Sequence, residues 1–128
     1  MTIEQMILPI RERAEALLAT PEAFREWLEE QPAGSVVGTS RVCSACPLAV
    51  FLSRTLGEPI EVDGACVSVG FIRPVVQVDL FRLSGWPLLF IACVDSFSAG
   101  PHHCGVGVPR EMALKFLARA CATLEVTP

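Results

Sequence analysis

The 128-residue chain is poor in charge: Asp, Glu, Lys and Arg make up only 19% of it, the net charge is −4, and its ten Lys and Arg residues form no basic run. Nucleic-acid recognition needs clustered cations to neutralise phosphates, so that class of partner is not expected. Long apolar runs are also missing. The longest, Trp86 to Val94, is about half of the ~20 residues a membrane-spanning helix needs, and no membrane span is expected. The opening "MTIEQMILPIRERAEALL" lacks a basic leading region and carries Glu4 where a signal sequence would be apolar, so it does not read as a secretory signal. A cytoplasmic location follows as the expectation. Cytosolic reductants would then keep Cys43, Cys46, Cys66, Cys93, Cys104 and Cys121 as thiols. There is no G-x-G-x-x-G, no P-loop, no H-E-x-x-H and no second C-x-x-C, and the only histidines are His102 and His103.

What the chain has instead is apolar residues, 52% of the total, with a mean hydropathy of +0.49. One domain spanning residues 1–128 can bury a full core at this length. The surplus apolar content predicts some exposed apolar surface for a protein partner or for a homodimer.

Ile3, Met6, Ile7, Ile10, Ala14, Leu17 and Leu18 recur at helical spacing, predicting a first amphipathic helix that Pro9 kinks or restarts. In "TPEAFREWLEEQPAG" Thr20 is the expected N-cap, Pro21 the first helical residue, and Pro32 with Gly34 the stop. The segment "CPLAVFLSRTLG" predicts a central helix opening at Pro47, with Leu48, Phe51, Leu52 and Leu56 on one face and Gly57 as its C-terminal cap. Asp63-Gly64 predicts a two-residue hairpin turn that puts Ile60, Val62, Ala65, Val67 and Val69 on one face. Residues 75–83 alternate as a further strand, and Ser84-Gly85 is a turn. "WPLLFIACVD", apolar on both faces, is read as a central strand, with a helix led by Pro87 as the alternative. The last helix, in "VPREMALKFLARACATL", should turn Ala113, Leu117, Ala120, Cys121 and Leu124 inward. Helices first, then strands, then a helix predict an α+β fold with a mainly antiparallel sheet of three to five strands.

Chemistry concentrates at Cys43-x-x-Cys46. Cys46 falls at the N-cap of the central helix, where unpaired N–H groups and the helix dipole should stabilise a thiolate and lower its pKa. Three uses of the pair follow. As a metal clip, Cys43 and Cys46 are two soft ligands, and "PHHCG" offers His103, His102 or Cys104 to complete a tetrahedral zinc site. As a redox couple, C-x-x-C at a helix start is the thioredoxin arrangement, but Pro47 begins the helix only after the second cysteine and leaves Cys43 on the preceding loop. As a catalytic pair, Cys46 followed by "PLAVFL", with His103 before "CGVGV" after several strands, resembles the order in papain-like cysteine peptidases and their small bacterial cell-wall relatives. That resemblance implies a cysteine-dependent hydrolase with Cys46 as nucleophile, His103 as base, and Asp95, Asp63 or a backbone carbonyl orienting the imidazole. The chain departs from that pattern in two ways: "GVGVP" leads straight into a helix instead of completing a sheet strand, and no Gln or Asn is evident for an oxyanion hole. Cys93 and Cys121 fall on apolar patterns and are expected in the core, while Trp27 and Trp86 are expected to anchor packing. The leading expectation is a small binding or interaction domain, with zinc as its possible cofactor through Cys43, Cys46, His103 and Cys104. The hydrolase is the alternative.

Overall fold

In a computed structural model, residues 2–97 and 105–124 are described. Helix α1, Ile3–Leu18, opens on a reciprocal cap: the Gln5 N–H donates to Thr2 Oγ1 at 3.1 Å, and the Thr2 N–H donates to Gln5 Oε1 at 2.8 Å. The helix runs through Pro9 without restarting, and Pro9 lies on its exposed side. Helix α2, Glu22–Glu30, begins one residue later than its sequence suggests, with Pro21 itself at the N-cap. Strand β1, Val36–Thr39, leads into a loop and then α3, Pro47–Leu56. Pro47 is at the start of α3, and Gly57 closes it in the left-handed conformation at φ 71°, as the sequence predicts.

Strands β2 (Ile60–Val62), β3 (Cys66–Ile72) and β4 (Val75–Arg82) form an antiparallel sheet in that order. The β2–β3 turn sits one residue later than predicted. Asp63 N–H donates to the Cys66 carbonyl at 3.1 Å, so the turn residues are Gly64, at φ 98°, and Ala65. The Asp63 carboxylate accepts from the N–H groups of Ala65 and Cys66 at 3.1 and 2.7 Å and fixes the bend. Val62 consequently faces Val67, and Ala65 joins the turn. This register lies two residues from the one expected, so every side chain keeps its face, and Ile60, Val62, Val67 and Val69 are buried.

Helix α4, Trp86–Phe97, replaces the strand expected over residues 86–95. Its buried residues, Trp86, Pro87, Phe90, Ile91 and Val94, recur at three and four, and Pro87 sits where a helix tolerates it and a central strand does not. Strand β5, Gly107–Pro109, pairs antiparallel with β1 as a second, two-stranded sheet before α5, Arg110–Thr123, begins. The "GVGVP" segment therefore does complete a strand, contrary to expectation, and then enters the helix. In α5, Ala113, Leu117, Ala120 and Cys121 are buried as expected, while Leu124 caps the end and is 41% exposed.

The architecture is α+β, with helices at both ends and two antiparallel sheets. Phe24 of α2, fully buried, is the hub of the helical core. Its ring meets Phe90 edge-on at 5.0 Å, Phe51 at 5.2 Å and Trp86 at 5.9 Å, so one side chain ties α2, α3 and α4 together. No helix of the described residues is long and apolar enough to cross a membrane.

Candidate functional site

Residues 40–46 join β1 to α3 and carry the cysteine pair. The loop is held from three sides. Ser40, fully buried, continues the β1–β5 pairing: its N–H donates to the Val106 carbonyl at 2.9 Å, and its hydroxyl oxygen accepts from the Val106 N–H at 3.0 Å. Arg41 adopts φ 61°, the left-handed region that non-glycine residues seldom enter, and its Nε donates to the Asp95 carbonyl of α4 at 3.3 Å. The Cys43 carbonyl accepts from the Val62 N–H of β2 at 2.8 Å. Gly38 lets the loop lie against β1: a Cβ there would stand 2.6 Å from Pro47 N and 2.7 Å from the Ala45 carbonyl oxygen. Gly105 is packed just as closely on Ser40, Thr39 and Val42.

These contacts shape a cleft of about 190 Å³ whose walls include Arg41, Cys43, Cys46, Asp63, Ile91 and Asp95. The structure thus brings Cys43 and Cys46 to one cleft and adds Asp63 and Asp95, the two carboxylates that the sequence offered as orienting groups. His102, His103 and Cys104 lie outside the described residues. Among the described residues, no three His, Cys, Asp or Glu side chains converge to hold a metal ion.

The electrostatics of Cys46 reverse the expectation. It does cap α3, but it is only 4% exposed, and burial pushes its thiol up from 9.0 to about 11. The N–H groups of Ala49 and Leu48 pull the value down, while the neighbouring Asp95 and Cys43 push it further up. Desolvation of the thiolate therefore outweighs the helix terminus, and Cys46 is a protonated thiol at neutral pH. Cys43 is exposed. Among the remaining described cysteines, Cys121 is buried and Cys66 and Cys93 are half-buried. Burial raises the thiols of Cys66 and Cys121 as well, and Asp79 and Asp63 add to the rise at Cys66.

Sequence reasoning missed Arg41 and Ser40. An arginine in the left-handed region has no local signature, and Ser40 owes its role to Val106, far along the chain. No protein-family model, curated protein or solved structure matches this chain.

Proposed function

We propose that this protein is a small binding domain whose contact surface is the end of the β3–β4 hairpin, with a second copy of the chain as its partner. One observation carries the proposal: Ile72 and Val75, the last cross-strand pair of the β3–β4 hairpin, are 83% and 89% exposed. The preceding pair, Phe71 and Val76, stands on the opposite face of the sheet and is half-buried, so both faces of the hairpin end carry apolar groups. Single exposed apolar side chains are ordinary on protein surfaces, whereas two adjacent ones, paired across the end of a hairpin, favour a contact there. Self-association is supported by the free outer edge of β4, which no described strand covers and which can pair with a like edge. That strand carries one Asp and one Arg, Asp79 and Arg82, so two copies meet without an excess of one charge.

The test is the mass in solution of the native chain and of Ile72→Glu/Val75→Glu by analytical ultracentrifugation. Because both sites are exposed, the double variant should keep its stability within about 0.5 kcal/mol per site. The native chain should sediment as a dimer and the variant as a monomer; a native monomer at high concentration rules self-association out. The hydrolase is ranked below binding because its nucleophile would be the protonated, buried Cys46. Rapid labelling of Cys46 by iodoacetamide at pH 6 would reverse that ranking.

A further inference from the structure

The loop holding the cysteine pair is itself wound. The Val42 carbonyl accepts from both the Ala45 N–H at 3.0 Å and the Cys46 N–H at 2.8 Å, which closes a single helical turn just before α3 begins. Residues three apart in such a turn lie on one side of it, with Cα atoms about 5 Å apart by helix geometry, inside the range of about 4.4–6.8 Å between Cα atoms that a disulfide spans. Neither end of the turn is loose: the Ala45 carbonyl accepts from the Thr39 N–H at 2.7 Å, and the Cys43 carbonyl is bonded to Val62. Both cysteines line the same cleft, Cys43 exposed and Cys46 buried. The late helix start at Pro47, which in the sequence separates the two cysteines, is made good by the turn.

We infer that Cys43 and Cys46 are a dithiol–disulfide couple, closed by exchange with a low-molecular-weight disulfide such as oxidised glutathione. The exposed Cys43, as thiolate, attacks one sulfur of the small disulfide and expels one glutathione thiolate, leaving a mixed disulfide. Cys46 then gives up its proton to solvent and attacks the Cys43 sulfur, which expels the second glutathione thiolate. Two S–H bonds are lost, one S–S bond forms, and the two electrons leave on two molecules of reduced glutathione. The second step is the slow one, because Cys46 is buried and its thiolate is faced by Asp95 from α4 and by Asp63 from the β2–β3 turn. Among the described residues Arg41 is the one cation lining the cleft, and the N–H groups of Ala49 and Leu48 are the helix donors. Between pH 7 and 10 closure should therefore quicken about tenfold per unit as the thiolate fraction grows.

The experiment equilibrates the full chain in glutathione buffers of graded ratio, blocks free thiols with N-ethylmaleimide and digests with trypsin. Arg41 and Arg54 release both cysteines in one peptide, Val42–Arg54. A peptide about 2 Da lighter than its dithiol form, unlabelled, and growing with the oxidised fraction is the expected result. Cys43→Ser, an exposed substitution, should abolish it and leave Cys46 carrying one label once the chain is unfolded in the blocking step. The inference is overturned if the peptide carries two labels at every ratio, or if glutathione stays on Cys43 at pH 9. It is equally overturned if either cysteine is joined to another peptide, or if the thiols are shielded by one zinc ion per chain that a chelator removes.

Discussion

At the scale of single residues, two positions in the 38–46 region are set by backbone proximity and burial more than by side-chain chemistry. Gly38 is required because the nearest neighbours of a Cβ there are main-chain atoms of residues 45–47, which cannot swing aside. Gly38→Ala should cost about 1–3 kcal/mol, as overpacking does, read as a lower urea midpoint at unchanged slope; an unchanged midpoint means the loop does not press on β1. Cys46 makes stability depend on pH. Its thiol ordinarily loses its proton near 9.0 and in the fold near 11, so the folded state holds the proton more tightly than the unfolded one. That contribution is fully present below pH 9 and is lost as pH rises through 11. It amounts to about 3 kcal/mol at about 1.4 kcal/mol per pKa unit. Urea unfolding at pH 8 and pH 11 should show the native chain losing more stability than Cys46→Ala; parallel losses would place the thiol in water. Placing Cys46 at the helix start was legible from Pro47 and the Leu48, Phe51, Leu52 stripe. Its raised pKa was not, since it comes from burial by the folded chain and from the charge of Asp95, distant in sequence.

At the scale of elements, most helices and the hairpin were legible because caps, prolines and periodicity are local. Pro47 and Gly57 bound α3 as written, and the alternation from Ile60 to Val69 kept its faces even though the turn moved. Trp86–Phe97 was harder, because an apolar run of this length carries no polar stripe to separate period two from period 3.6. Pro87 and the i, i+4, i+8 spacing of Trp86, Phe90 and Val94 were the signals that pointed to a helix. Tertiary contacts then fix it: the Trp86 indole Nε1–H donates to the Leu18 carbonyl at 3.0 Å, joining the start of α4 to the end of α1. Trp86→Phe keeps the ring packing on Phe24 but leaves that carbonyl without the indole donor, so it should lower stability by about 1–3 kcal/mol in denaturant titration. A loss within error would mean that water serves the carbonyl equally well. Helix α5 is tied down in the same long-range manner, by Arg110 Nη1 donating to the Gln31 carbonyl at 2.8 Å and by the Glu111 carboxylate accepting from the Gly34 N–H at 2.9 Å. That contact holds the Glu111 carboxyl below its usual range.

At the scale of the whole molecule, the high apolar content divides between a dense helical core around Phe24 and an apolar hairpin end that the core does not cover. If that end is the contact between two copies, the thermal midpoint should rise with protein concentration by mass action, and Ile72→Glu/Val75→Glu should make it flat. The sequence by itself determined the α+β class, the helix boundaries at Pro47 and Gly57, the faces of the β2–β3 hairpin and the pairing of Cys46 with a helix start, because each rests on residues within a turn or two of one another. Only the tertiary structure decided that Trp86–Phe97 is a helix, that Gly107–Pro109 pairs with Val36–Thr39, and that Asp63 and Asp95 share a cleft with the two cysteines. It also decided that Cys46 is a buried, protonated thiol. Those outcomes depend on which distant segments exclude water from one another, and separation along the chain hides that from any local pattern.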